Sequence, residues 1–521
     1  MRTLLFADPT GVFLHDAILA SCRRMGEKTA IVDTSCSPGQ RVSYAEYGDA
    51  VERLARGLVA AGLRPGEVLA IYLPNSWEFC AAYHAATLAG AVPTVLNPSY
   101  REREVRYQLG NSGAAMLVTD GTQISGMNLS GLQDLRRLFC TRTPMPGCDD
   151  LEMLFHPTSA SWTQPGGDSR ETLAALPYSS GTTGLPKGVM LSHSNLVTNV
   201  YQFLAPGELG AFTPDDTALC FLPLYHIYGL NVILNPVLMM GATLVLMPRF
   251  DLARCCELIT SEGATFLPLV PPAVNALCQA AEQGLFPREH RVRYVKSGAA
   301  PLAPELARRF TDLTGVLLRQ GYGMTEAAPV THIGYIEPEL YRPDSIGRPV
   351  AQTECRLVAE NGEEDSHLGE LVMRGPQFML GYWRAPEATA EALRDGWYWS
   401  GDVASRDADD FYQIVDRRKE MIKYKGFAVA PAEVEAVLLE HPAVRDCGVI
   451  GRCDDCAGEV PCAFVVLRNG TAESAKIAGE LCDYVAQRLT SYKQPREIRF
   501  VNAIPRNPSG KILRRELRNL I

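Results

Sequence analysis

The chain has 521 residues, of which 46% are hydrophobic and 21% charged, and a formal net charge of -9. That length and balance imply a globular protein of two to four domains with ample core. The acidic charge and scattered basic residues exclude nucleic acid as a main partner; the cluster Arg514, Arg515 and Arg518 reads as a solvated helix face.

Fifteen cysteines without regular short spacing indicate a reducing, cytoplasmic compartment. Cys453 and Cys456 have the spacing of a redox or zinc half-site, but no second pair follows, so they read as two thiols in a loop. The apolar run at the N-terminus is short and is broken by Asp8 and Pro9, unlike a signal peptide.

In chain order, residues 43–61 predict a helix with Tyr44, Tyr47, Val51, Leu54 and Leu58 on one face. A strand over 68–73, a helix over 78–89 and strands over 92–96, 115–118 and 219–222 follow. This alternation predicts parallel sheets flanked by helices. Residues 149–167 are polar and Pro/Gly-rich and read as a surface connection. Residues 229–247 are apolar enough to raise a membrane span, but Asn231, Asn235 and Pro236 interrupt them. A buried helix and a strand over 242–247 fit better, with no membrane span.

Near Val350 the texture changes to short antiparallel strands, including 370–374 and 411–416. Beyond the charged link 416–420, a helix over 432–439, strands over 447–451 and 463–467 and a helix over 475–489 make a compact α+β unit. The expected boundary is at 417–419, dividing 1–417 from 418–521.

Five segments carry chemistry. Residues 178–188, Tyr-Ser-Ser-Gly-Thr-Thr-Gly-Leu-Pro-Lys-Gly, hold nothing that builds a core. Their glycines, hydroxyls and free N–H groups suit a phosphate nest, to which Lys187 adds charge. Gly188 stands where a Walker loop needs Ser or Thr, so this is a different phosphate loop. In the second segment, Gly321 and Gly323 flank Tyr322, a ring able to stack on a purine, with Thr325 and Glu326 as oxygen donors for Mg²⁺ on phosphates. Asp402 is a carboxylate able to accept both ribose hydroxyls, with Arg417 fifteen residues on. Lys419, Lys423 and Lys425 cluster in the fourth, and in the fifth a turn at 508–510 presents Lys511. Taken singly, each has a plainer reading as a surface turn, a local cap or a solvated charge; their order along one chain favours the functional one.

The string Ser-Ser-Gly-Thr-Thr-Gly-x-Pro-Lys-Gly and the four later segments resemble the adenylate-forming superfamily of acyl-CoA synthetases, luciferases and adenylation domains. Residues 222–230, 295–302, 320–330 and 422–433 look most like 4-coumarate:CoA ligases. The resemblance implies a large N-terminal α/β body, with parallel sheets and a distorted antiparallel β-barrel, and a small mobile α+β lid hinged near Lys419. It implies an AMP-forming ligation of an aromatic or bulky hydrophobic carboxylic acid to CoA, with ATP and Mg²⁺, and leaves open a carrier-protein thiol as acceptor or a luciferase-like oxygenase. It assigns ATP or AMP binding to Ser179, Ser180, Gly181, Thr182, Thr183, Lys187, Ala299, Gln320, Gly321, Tyr322, Thr325, Asp402, Arg417, Lys419, Lys423 and Lys511. Catalytic roles fall on Lys511, Lys423, Glu326, Thr182 and His226, with Glu326 holding Mg²⁺. CoA falls to Arg249, Lys425 and Gly426. The acid pocket falls on Ile227, Tyr228, Asn231, Lys296, Gly298, Ala299, Gly321, Gly323, Pro329 and Val330, the glycines leaving a flat slot. Ala328 in place of a glycine, Thr331 in place of an apolar residue and Ala428 in place of a glutamine depart from the ligase pattern.

Overall fold

The computed structural model describes residues 9, 11–36, 39–156, 162–179, 185–205, 212–335, 337–424, 427–454, 457–507 and 510–521. The helix Tyr44–Ala60 shows why the pattern is legible. Ser43 Oγ accepts the Glu46 N–H while the Glu46 carboxylate accepts the Ser43 N–H, a reciprocal cap that satisfies two orphan donors. Tyr44, Tyr47, Val51, Leu54 and Leu58 are all fully buried.

Among the described residues, two sheets of parallel character form the body. One runs Val92–Val95, Val68–Tyr72, Ala114–Asp120, Arg137–Thr141, Asp149–Asp150, parallel throughout. The other has nine strands. Its strands from Thr29–Asp33 through Thr243–Leu246, Thr217–Cys220, Phe266–Leu269 and Tyr294–Ser297 to Leu318–Gly323 are parallel. There it switches: Leu318–Gly323 pairs antiparallel with Val330–Ile333. In open α/β sheets ligands collect beyond the carboxyl ends of the strands, and the segments around 222–230, 297–302 and 321–330 all lie there.

Antiparallel sheets follow. Lys187–Ser192 pairs with Tyr178–Ser179, Leu173–Ala175 and Gly381–Tyr382. Leu368–Arg374, Trp397–Arg406 and Tyr412–Arg417 form the centre of a curled six-stranded sheet. A last sheet pairs Phe427–Val429, Ile422–Tyr424, Gly458–Leu467 and Val444–Asp454, with Glu497–Phe500 parallel to Gly458–Leu467. With the helices packed on it, this sheet makes two apolar clusters of its own, around Val434, Leu438, Val449 and Leu481 and around Phe464, Ile504 and Leu517. The expected α/β body followed by an α+β unit is the observed fold.

Several expectations need correction. The segment 149–167 is not wholly a surface connection: Leu151–Phe155 is a 3₁₀ helix with Leu151, Leu154 and Phe155 buried. The strand expected at 219–222 is Thr217–Cys220, since Leu222 leaves the sheet and its carbonyl accepts the Asn75 amide. The buried helix after 229 begins as a π-helix, Gly229–Leu234, and continues as Asn235–Met240. Its polar residues are satisfied internally: Asn235 Nδ2 donates to Asn231 Oδ1 at 2.7 Å, and His84 joins Asn235 Oδ1 to the Tyr47 hydroxyl. No helix among the described residues is long and apolar enough to cross a membrane. The strands expected at 447–451 and 463–467 are far longer, Val444–Asp454 and Gly458–Leu467, because Gly451 and Pro461 pair instead of ending the ladder. Cys453 therefore lies on a strand, and Cys456 lies outside the described residues. The helix expected over 475–489 stops at Ala486.

One close approach holds the first layers together. A Cβ on Gly57 would stand 2.1 Å from the Leu154 carbonyl oxygen. Gly57→Ala should therefore lower the thermal midpoint by a few degrees, about 2 kcal/mol of overpacking, although Ala is the better helix former by about 1 kcal/mol. A differential scanning measurement showing a raised midpoint would mean that helix propensity outweighs this contact.

Candidate active site

The strands Tyr178–Ser179 and Lys187–Ser192 pair antiparallel with Ser179 opposite Lys187, so the two ends of the phosphate-loop segment lie side by side. Ser180, Gly181, Thr182 and Thr183 lie outside the described residues. The next strand places Tyr382 opposite Val189. Lys187 Nζ sits 5.2 Å over the Tyr382 ring, a cation–π contact. The Tyr382 hydroxyl donates to Glu326 Oε1 at 2.8 Å. Glu326 is 8% exposed. Burial first, then the Glu326 charge, raises the Tyr382 pKa and keeps the phenol a donor. Three groups distant in sequence thus meet at one end of the site. Tyr382 was not expected; the aromatic pair Tyr382-Trp383 after Gly381 gives no signal in sequence. One carboxylate oxygen is held by Tyr382, which leaves Glu326 a hard-oxygen donor suited to Mg²⁺ completed by phosphate oxygens and water.

At the other end, Tyr322 donates to Asp402 Oδ2 at 2.5 Å, and Arg417 Nε lies 3.2 Å from Asp402 Oδ1. Asp402 and Arg417 face each other across two strands. Ser400 Oγ donates to the Leu371 carbonyl and accepts the Asp402 N–H, so this hydroxyl shapes the turn that aims the carboxylate. Gln320 Nε2 donates to the Pro343 carbonyl at 2.8 Å. Thr325 opens the 3₁₀ turn Thr325–Ala327 that carries Glu326.

Some of the residues expected to line the acid pocket meet one another. A Cβ on Gly298 would stand 3.3 Å from the Tyr228 ring and 3.6 Å from the Gly321 carbonyl, so Tyr228, Gly298 and Gly321 share one wall. The Tyr228 hydroxyl donates towards the Lys296 and Leu269 carbonyls at 3.3 and 3.5 Å. Ile227, Pro329 and Val330 are buried. Gly323 differs: a Cβ there would lie 2.0 Å from the Pro329 carbonyl oxygen, so its bareness serves the hairpin. The Lys296 ammonium donates to the Gly334 carbonyl. Asn231 Nδ2 donates to the Leu196 and Ala328 carbonyls, which commits its amide to holding the wall. Ala299 and Ala328 have φ of 68° and 63°, left-handed backbone that costs an alanine roughly 1 kcal/mol. The Thr331 hydroxyl finds the Tyr322 carbonyl at 3.3 Å, which explains a threonine at a fully buried position. His226 Nδ1 accepts the Tyr228 N–H at 3.2 Å, and burial pulls the imidazole down to about 4, so it is neutral with its proton on Nε2.

The C-terminal unit presents its two lysines differently. Burial, and then the nearby Arg417, lowers the Lys511 pKa to about 8, with Asp402 opposing. Gly510, at φ 84°, packs against Pro272 of the body; a Cβ there would stand 3.1 Å from Pro272 Cδ. Lys423 points elsewhere, with Nζ 2.6 Å from Glu360 Oε1 on an exposed surface. Lys419 lies in an exposed turn after Arg417. Arg249 is exposed at the end of the strand Thr243–Leu246. Lys425 and Gly426 lie outside the described residues, and Ala428 is paired through its backbone with Lys423.

Residues 18–383 match the family described as AMP-binding enzyme, and 433–511 match its C-terminal domain. A 4-coumarate-CoA ligase of Narcissus pseudonarcissus is 38% identical, covering 98% of this chain and 94% of its own. ATP-bound MatB from Rhodopseudomonas palustris superposes with a TM-score of 0.87 at 28% identity over 98% of this chain and 99% of MatB; apo MatB, at the same coverage and identity, gives 0.77. The o-succinylbenzoate CoA synthetase of Bacillus subtilis, in complex with its acyl-adenylate intermediate, gives 0.82 at 29% identity over 96% of this chain and 97% of its own. Both domain matches and the full-length relative agree with the geometry above: this chain belongs to the AMP-binding enzyme family.

Proposed function

We propose that the chain is an ATP-dependent carboxylic acid:CoA ligase that forms AMP and takes a flat aromatic or similarly bulky hydrophobic acid. The carrying observation is the placement of Lys511 beside Asp402 and Arg417, at the ribose end of a site whose other end holds Lys187, Tyr382 and Glu326. A carboxylate is a poor acyl donor because its leaving group would be an oxide. In the first half-reaction the acid's carboxylate oxygen attacks the α-phosphorus of ATP and pyrophosphate leaves. Lys511 neutralises charge gathering on that phosphate, Asp402 accepts the ribose hydroxyls, and Lys187 and the phosphate loop hold the leaving pyrophosphate. Mg²⁺ bound at Glu326 supplies charge neutralisation on the phosphates. In the second half-reaction the CoA thiolate attacks the acyl carbon and AMP departs.

We infer that the body ends at 417 and that the lid, 418–521, turns about Lys419 between the two steps. Lys511 faces the nucleotide side while Lys423 is engaged outside, at Glu360; the higher likeness to ATP-bound than to apo MatB supports reading this arrangement as the adenylating one. After the turn, Lys423 would meet the acyl-adenylate, and Lys425 and Gly426 would line the pantetheine path. Arg249, exposed on the body, would take a phosphate of free CoA. The soft, flat wall of Tyr228, Gly298 and Gly321 supports an aromatic acid.

Three outcomes test this reading. With ATP, Mg²⁺ and CoA, a panel of aryl and alkyl acids should give AMP and acyl-CoA, with aryl acids preferred; ADP as product, or palmitate favoured more than tenfold in kcat/KM, refutes it. Lys511→Ala should slow ATP–pyrophosphate exchange by about 3 kcal/mol of barrier, roughly a hundredfold, while sparing thioester formation from supplied acyl-adenylate; Lys423→Ala should do the reverse, and equal losses in both assays would contradict the two-faced lid. Because burial holds Lys511 near 8, the charged form needed for adenylation is present below that pH and is lost above it. The kcat/KM for pyrophosphate exchange should then fall about tenfold per pH unit beyond roughly pH 8; a profile flat to pH 10 would show that another group sets the limit.

A further inference from the structure

Asp416 lies on the strand Tyr412–Arg417, its backbone paired with Val403 in the curled sheet of the body. Its side chain leaves that sheet. Oδ2 accepts the N–H of Ala432 at 2.8 Å, in the first turn of the helix Pro431–Leu439. Oδ1 accepts the N–H of Arg417 at 2.6 Å. The helix N-cap, Ala430, has no capping side chain of its own. The first-turn donors of a helix need a partner, and a carboxylate also suits the positive end of its dipole. This helix thus takes its cap from across the proposed pivot.

A second attraction crosses the same line. Asp416 is 6% exposed, and burial raises its pKa while the Arg514 guanidinium lowers it. Arg514 is fixed within the C-terminal unit: Nη2 lies 2.7 Å from Glu435 Oε1, and Nε donates to the Val449 carbonyl at 3.0 Å. Asp416 therefore engages two elements of the lid while its own backbone belongs to the body.

Rotation about Lys419 would carry Ala432 and Arg514 away and leave Asp416 paired with Val403. We propose that Asp416 is a positioning residue, a latch that holds the lid in the arrangement presenting Lys511 and lets go before the thioester step. This rests on the two-faced lid proposed above. The Lys423–Glu360 pair also spans body and lid, but both side chains are more than half exposed, and exposed pairs hold weakly. Arg418, which pairs with Glu370, precedes the pivot residue Lys419, so that pair does not resist the turn.

The test compares Asp416→Ala and Asp416→Asn with the parent enzyme. The asparagine keeps an acceptor for Ala432 and loses the attraction to Arg514. Loss of the latch should slow ATP–pyrophosphate exchange at least tenfold in the alanine variant and less in the asparagine variant, with thioester formation from supplied acyl-adenylate unchanged or faster. Amide hydrogen exchange gives a readout free of chemistry: peptides covering 505–518, docked on Pro272, should exchange at least tenfold faster, while the hairpin of Val444–Asp454 and Gly458–Leu467 should not change. Equal loss of both half-reactions, loss of neither, or unchanged exchange over 505–518 overturns the latch. Parent enzyme that makes no adenylate with any acid sinks the ligase reading, and hydrogen exchange then decides the latch alone.

Discussion

A single buried carboxylate, Asp402, makes the rest of the site possible. Arg417 lies near the buried Lys511, and burial first, then the Arg417 charge, disfavours the lysine's charged form. Two like charges so placed destabilise both unless an opposite charge sits among them. Asp402 supplies it, with one oxygen on Arg417 and the other on the Tyr322 hydroxyl. The antiparallel register that sets Asp402 opposite Arg417 is thus the constraint on which the lid's contact with the body depends.

The far end of the site obeys a similar logic with a neutral mediator. Tyr382 turns its face to Lys187 and its hydroxyl to Glu326. One ring thus contacts both a cation and an anion, through different parts of itself. Its position follows from strand pairing alone, since Tyr382 lies opposite Val189, two residues beyond Lys187.

Much of this was legible in the sequence because it is local. The stripe from Tyr44 to Leu58, the parallel alternation, and the order of Lys187, Glu326, Asp402 and Lys511 need only neighbours along the chain to be recognised. What escaped is set by partners far away. Leu151–Phe155 sits in a stretch, 149–167, that reads as a surface connection until Gly57 is seen beneath Leu154. Asn231 looks like a pocket residue until its amide is found holding Ala328. Lys296 looks free until Gly334 is placed over it, and nothing near Asp416 in sequence announces that it caps the helix sixteen residues on.

The three glycines of the expected slot do not have equal freedom to vary. Gly323 is locked by the carbonyl of Pro329, 2.0 Å from where its Cβ would stand, so any side chain there would break the hairpin that carries Glu326. Gly321 meets only the His332 carbonyl oxygen, at an ordinary 3.5 Å, and Gly298 meets the yielding edge of the Tyr228 ring. Divergence towards smaller acids has two doors open to it, at 298 and 321. The third is shut by the fold itself, so a lineage can shrink this pocket without endangering the phosphate end of its site.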